Sequence, residues 1–303
     1  MSDDEKKCLF VSTRGIAKSC NIHPDWDIYG NMSYSSFTTK NKSGSSIYLH
    51  FDMVEQFINN YLDKMENPFV IVSGNSDHTV IDDIPSAHKL LNHDKLIMWY
   101  SQNVTYSNPK LKHIPIGIDY HTLSTSHGNH DWTSLKTPIS PVLQESELRN
   151  IKKTFIPLIN TRCISVTNFH LAMGPPLRRT QIRTKIYNIL KDKKGIEWLP
   201  KQTREEFWKS LNDVAFVICP FGNGLDTHRA WEVIALGRIP IIEKSELNEV
   251  FKDLPVAIID DWNNFNEIWL EREFTRIVNI IKNKEYKLNK VLLTYWSNKI
   301  NSH

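Results

Sequence analysis

No stretch of this chain reaches the about 18 consecutive apolar residues that a membrane-spanning helix needs. The opening residues, MSDDEKKC, hold no apolar core of a secretory signal. The expectation is therefore a cytoplasmic protein whose sequons at Asn31, Asn41 and Asn103 stay unmodified. Cysteine is scarce: Cys8, Cys20, Cys163 and Cys219 stand far apart and form no CxxC pair, so reduced thiols are expected. The twelve histidines contain no HExxH string and no tight cluster. Charge is nearly balanced, with 37 basic and 34 acidic residues and a net charge of +3, which argues against a nucleic-acid partner. Internal repeats and low-complexity segments are absent. Asp25-Trp26-Asp27 spells an Asp-x-Asp string, but in an early polar loop, while Asp260 and Asp261 are adjacent rather than alternating. No bound metal is expected from either pair.

What remains is an ordinary globular composition, 40% hydrophobic and 23% charged, over 303 residues, a length comfortable for two domains. The first half alternates apolar runs with helical spacing. CLFVST reads as an opening strand, and the polar stretch through Ser46 as loops. HFDMVEQFINNYLDKM spaces Phe51, Val54, Phe57, Ile58, Tyr61, Leu62 and Met65 as one helical face. FVIVSG, KLIMWYSQN and KHIPIGIDY follow as strands, with SAHKLLNH a short helix between the first two. The Ser/Thr/His-rich stretch from His121 to Pro141 reads as an interdomain connection. The second half repeats the alternation, and a helical tail ends it. Strands alternating with helices predict an α/β fold with parallel sheets.

The densest chemistry lies between Val217 and Ile242, VICPFGNGLDTHRAWEVIALGRIPII. A buried strand runs into a loop with Gly222, Asn223 and Gly224, then into the helix HRAWEVIAL, then into a second buried strand. The glycines are read as permitting a tight turn and close approach of a ligand. Asp226 and Thr227 both suit the helix N-cap. A loop feeding a helix N-terminus offers N–H groups and a positive dipole end, which suits a diphosphate. Arg229, beside His228 in the first turn, adds a planar cation that matches phosphate oxygens. Glu232, three residues on, can accept from sugar or ribose hydroxyls.

Two further groups carry weight. FVIVSG leads directly to Asp77 and His78, beyond the carboxyl end of a strand, where open α/β sheets bind ligands. Asp77 is the first candidate for a general base there and His78 the second. In LRRTQIRTKIY, Arg179 and Arg183 share a helix face at i, i+4 and fall near a helix start; either could meet an anion.

The run GNGLDTHRAWEVIALGRIPII resembles the nucleotide-sugar-binding signature of exostosin-like glycosyltransferases, and is similar to the compact versions carried by large algal viruses. The match is strongest from Glu205 to Trp262, with echoes at HIPIGIDY and at the Arg-rich helix start. The resemblance implies a GT-B-like fold, two Rossmann-like halves facing across a cleft. The expected division is 1–130 for an acceptor-side half, 131–280 for a donor-binding half and 281–303 for a helix crossing back. It implies an inverting, metal-independent transfer from a nucleoside diphosphate sugar, UDP by preference and xylose as the first sugar, to a hydroxyl of a glycan acceptor, in a host's cytoplasm if the source is viral. A GDP-sugar-dependent fucosyltransferase-like enzyme and a non-catalytic carbohydrate- or nucleotide-binding module stand as alternatives.

Overall fold

The computed structural model describes residues 4–26, 31–34, 41–125, 138–171, 182–283 and 285–303. They fall into two compact units. The first gathers the described residues up to 125, residues 138–144 and the tail Lys290–His303; the second gathers the described residues of Glu145–Asn289.

In the first unit, α1 (Thr13–Ser19) is followed by a small ribbon of β1 (Asp25–Trp26) and β2 (Met32–Ser33). Next come β3 (Ser45–His50), α2 (Val54–Asn60), β4 (Phe69–Gly74), α3 (Ala87–Leu91), β5 (Leu96–Ser101), β6 (Leu111–His113) and the single turn α4 (His121–Ser124). The four longer strands form a parallel sheet in the order β3-β4-β5-β6. β4 is buried at all six positions, as a strand covered on both faces must be. Ile47, Leu49, Phe69, Ile71 and Trp99 pack with Phe57 and Ile58 of α2 on one face.

Two sequence expectations change here. CLFVST does not enter the sheet. Phe10 bridges Leu292, Ser12 bridges Gly117, and Ser12 Oγ accepts from Gly15 N to cap α1. The sheet strand on that side is SSIYLH, which begins in the last two residues of the stretch read as loop and is marked by only three apolar residues. Among the described residues the chain passes from the first unit to the second within α5 (Pro141–Lys153). The buried Gln144 side chain explains this: its Nε2 donates to Tyr120 O (2.9 Å) and Ile139 O (2.7 Å), tying the first turn of α5 to the first unit.

The second unit holds β7 (Arg162–Thr167), α6 (Ile182–Leu190), β8 (Ile196–Trp198), α7 (Arg204–Ser210), β9 (Val214–Ile218), α8 (His228–Ala235), β10 (Ile239–Glu243), α9 (Asn248–Phe251), β11 (Ala257–Ile259) and α10 (Glu267–Lys282). Its sheet is parallel throughout, in the order β11-β10-β9-β7-β8. The chain steps from β7 outward to β8, then returns past β7 to β9 and continues the other way. β7 and β9 therefore flank a topological switch point. α7 is started by a capping box: Thr203 Oγ1 accepts from Glu206 N, and the Glu206 carboxylate accepts from Thr203 N. The chain then returns to the first unit through α11 (Leu293–Ile300), pinned by Leu293 N donating to Leu9 O and by Asn301 Nδ2 donating to Ser19 O. No helix among the described residues is long and apolar enough to cross a membrane.

Gly117 shows where backbone freedom is required. Its φ is +68°, and a Cβ there would lie 2.2 Å from Val11 O, a rigid backbone atom. Gly237 has a φ of +79° but meets nothing nearer than Lys152 Cε at 3.9 Å. Gly117→Ala should therefore cost at least about 2 kcal/mol, and Gly237→Ala only about 1 kcal/mol. Urea midpoints of the two variants check this, and equal losses would contradict the clash.

Candidate functional site

In an open α/β sheet the crevice for a ligand lies beyond the carboxyl ends of the strands at the switch point. In the second unit that means the segments leaving β7 and β9. β9 runs through VAFVI, buried at every position, into Cys219 and the loop ending at Thr227. The helices that follow these two neighbouring strands are α6 and α8, and each carries an arginine as its second residue: Arg183 and Arg229.

The two guanidiniums are near enough to repel. Burial holds Arg183 down to about 10, and the charge of Arg229 adds to that depression. Burial likewise lowers Arg229, opposed by Cys219 and Glu232. Cys219 gives no real relief, because burial pushes its thiol up to about 12 and it is uncharged at neutral pH. Among the described residues no carboxylate acts on Arg183, and Glu232 opposes only the depression of Arg229.

Packing holds the arginines while their hydrogen-bonding capacity stays unspent. Arg229 lies flat on the Phe207 ring of α7, its Cζ 4.6 Å from the centroid, and its buried Nη1 has no hydrogen-bond partner. Arg183 is aimed by Nε donating to Phe221 O at 2.8 Å and by a longer bond from Nη1 to His170 O at 3.3 Å. Burying an ion costs several kcal/mol unless something pairs with it. An arginine cannot shed its proton to escape that cost. Arg238 shows how the same fold treats a structural arginine. Burial lowers it to about 10 too, but its donors reach four carbonyls, those of Leu211, Gly237, Ile156 and Asn212.

The other residues of the motif divide into wall and support. Neither Gly222 nor Gly224 is among the glycines with positive φ, so the loop does not need them for a left-handed turn. At Gly222 the effect is the missing side chain: a Cβ would sit 3.6 Å from Arg183 Nη2, and anything longer would grow beside that fork. Thr227 occupies the N-cap position of α8 without a side-chain cap bond. Asp226 is buried; its Oδ1 accepts from Thr227 N, and both oxygens accept from Trp231 Nε1 at 2.9 and 3.0 Å. Glu232 Oε2 accepts from Trp208 Nε1 at 3.1 Å. Asp226, read as a helix cap, and Glu232, read as an acceptor from sugar hydroxyls, thus each accept from an indole N–H. Asn223 and His228 line the loop and the helix start, both partly exposed. Arg179 and Asp27 lie outside the described residues. Phe207 escaped the sequence reading: a phenylalanine in a helix preceding the motif carries no mark that it will floor an arginine.

In the first unit, Asp77 follows β4 on a loop fixed on both sides. Asn75 N donates to Gln102 Oε1, and Asn103 Nδ2 donates to Ser76 O. Asn75, Ile81 and Asn103 all have positive φ, of 60°, 78° and 49°. Asp77 itself is exposed and, among the described residues, makes no hydrogen bond or ion pair. His78 is tied down, stacked on Phe51 with its Nδ1 3.5 Å from Asp83 Oδ2.

No family model matches the sequence, and no curated protein matches it. Similar solved structures include an α1,3-fucosyltransferase with GDP-fucose, at 11% identity over 95% of this chain and 96% of that one, with a TM-score of 0.38. The E. coli trehalose-6-phosphate structure bound with UDP-2-fluoro glucose is 11% identical over 86% of this chain and 73% of that one, with a TM-score of 0.39. The catalytic domain of starch synthase IV from Arabidopsis thaliana, bound to ADP and acarbose, is 13% identical over 86% and 74%, with a TM-score of 0.34. Likeness this loose transfers no chemistry.

The two arginines should make the protein a pyrophosphate receptor. At 100 times its Kd, pyrophosphate should stabilise the fold by about 2.7 kcal/mol, read as a rise in Tm. Arg229→Met and Arg183→Met should each remove most of that rise. Arg238→Met should instead lower Tm with or without the anion. A pyrophosphate response that survives both of the first two substitutions would exclude this anion site.

Proposed function

We propose that this chain is a glycosyltransferase that moves a sugar from a nucleoside diphosphate donor, UDP by preference, to a hydroxyl of a glycan acceptor with inversion. The observation that carries it is the pair Arg183 and Arg229 at the switch point of the second unit, near enough to repel and with unspent donors. A leaving diphosphate gains negative charge as the glycosidic bond breaks. Cations already desolvated and fixed stabilise that charge without reorganising. In this reading the arginines do the work that a divalent ion does elsewhere, and no metal is required.

The step balances simply. The acceptor oxygen attacks the anomeric carbon, the bond from that carbon to the β-phosphate oxygen breaks, and UDP leaves with the electron pair. The acceptor's proton passes to a carboxylate, for which we assign Asp77, with His78 second. Asp77 supports this role by its exposure, its freedom from partners and its place beyond β4. One displacement on the anomeric carbon inverts its configuration.

A thermal-shift panel of UDP, GDP, CDP, UDP-xylose and UDP-glucose tests the donor. UDP and its sugars should raise Tm most; a larger rise with GDP would replace the nucleotide, and no response to any would remove the reading. Asp77→Asn tests the base. It should lower kcat by about 10²–10⁴-fold while leaving UDP affinity unchanged, because proton removal is lost and the diphosphate site is not. A near-normal kcat, or a product that retains the donor's configuration, would rule Asp77 out.

A further inference from the structure

The first unit contains a second concentration of buried polar groups, separate from Asp77. Arg14 of α1 places its guanidinium 5.6 Å from the centre of the Trp26 ring, and Lys18 Nζ lies 5.8 Å from the same ring. Trp26 in turn leans on Tyr48, with ring centroids 6.2 Å apart. Ile47 and Leu49 join the core on one face of β3, so Tyr48 between them points to the other face. Arg14, Trp26 and Tyr48 are 9%, 8% and 0% exposed. Each nevertheless has an unpartnered buried polar atom: Arg14 Nε, Trp26 Nε1 and the Tyr48 hydroxyl.

Buried polar atoms are nearly always paired, so three orphans in one cluster need a reason. All three are donors, and the guanidinium and the indole can only donate. What they lack is acceptor oxygen. The local charge specifies its sign. Burial pushes Glu5 up toward its protonated form, opposed by Lys18 and Arg14, and Asp119 is the other acid acting on Arg14. The guanidinium is a fixed cation, and burial drives Glu5, the acid whose charge acts most strongly on it, toward neutrality. A carboxylate fits: it is flat enough to lie along an aromatic pair, and its two oxygens offer about four lone-pair sites for three donors.

We propose that Arg14, Trp26 and Tyr48 form a carboxylate-recognition site. Resting on the transferase reading, the acceptor is then an acidic glycan whose uronate carboxylate docks there. Position supports this. His50 ends β3, lies within the field of Arg14, and stands in register with Gly74 at the end of β4, next to Asn75. Asn75 opens the loop that carries Asp77. The cluster and the assigned base therefore share one edge of one sheet.

The probes are sodium glucuronate, its methyl ester and glucose, with affinities read by NMR titration in the absence of any nucleotide. Arg14→Met would strand Glu5 and Asp119, so the informative variants are Tyr48→Phe and Trp26→Phe, each checked by Tm. Glucuronate should bind the unmodified protein at least about tenfold tighter than glucose or the ester, the loss expected for a missing bond to a charged group. Tyr48→Phe should weaken glucuronate by a similar factor and leave UDP affinity unchanged. Equal affinity for the three probes, no effect of either substitution, or a crystal structure in glucuronate with only water on the three donors would overturn the site. Glucuronate binding in a protein that turns over no nucleotide sugar would keep the site and discard the transferase reading. Transfer to neutral and acidic acceptors with equal kcat/KM would discard the acceptor assignment alone.

Discussion

Two arginines that cannot lose their protons, Arg183 and Arg229, stand half-buried and within each other's field at the starts of two helices of the second unit, and that placement carries a cost. Every element near the switch point helps to hold charge that would otherwise be driven into water. The strands β7 and β9 bring the starts of α6 and α8 together because they are neighbours in the sheet while their helices leave in succession. Phe207 supplies a flat face for one guanidinium, and the carbonyls of Phe221 and His170 orient the other. A cation over a desolvated ring gains up to about 2 kcal/mol, well short of the several kcal/mol that burying an ion costs. The difference is what an anionic ligand can return, and the fold keeps it available by leaving the outer donors unpaired.

The support beneath this site is two tryptophan–carboxylate contacts. Trp231 holds Asp226, and Trp208 holds Glu232, each through the indole N–H. An indole N–H fixes a carboxylate in place, so neither acid is free to swing. Had either acid formed a bidentate pair with Arg183 or Arg229, the anion site would be self-quenched. The comparison with Arg238 is direct: there the carbonyls saturate the fork, and the residue serves as an internal staple between α8, α7 and the segment around Ile156.

Much of this arrangement is written in local sequence and some of it is not. The strand–loop–helix–strand run around Gly222 shows itself through an apolar strand, small residues, a cap and a first-turn arginine, all within one helix length. Arg183 also stands near a visible helix start. The meeting of the two arginines depends on which strands are neighbours, which no local pattern encodes. The bracing of Asp226 and Glu232 is hidden for the same reason, since only the packing shows the indole that each carboxylate accepts from. In the first unit β3 hides because three apolar residues between serines and a histidine look like any loop. CLFVST misleads because its apolar alternation serves packing against the returning tail rather than a sheet.

The loop after β4 makes a different use of strain. Asn75, Ile81 and Asn103 each sit at positive φ, a conformation that costs of order 1–3 kcal/mol for a non-glycine residue and is least tolerable for β-branched Ile81. Ile81 packs against the core that its neighbours Val80 and Ile84 share with β4. Gln102 and Asn103 spend their side chains on holding Asn75 and Ser76 in place. Those bonds hold the backbone just before Asp77, so its exposed carboxylate is presented from a fixed segment and not from a free loop. In the proposed reading that fixity is what suits it to meet an acceptor hydroxyl, because a general base must lie within hydrogen-bond reach of the proton it removes.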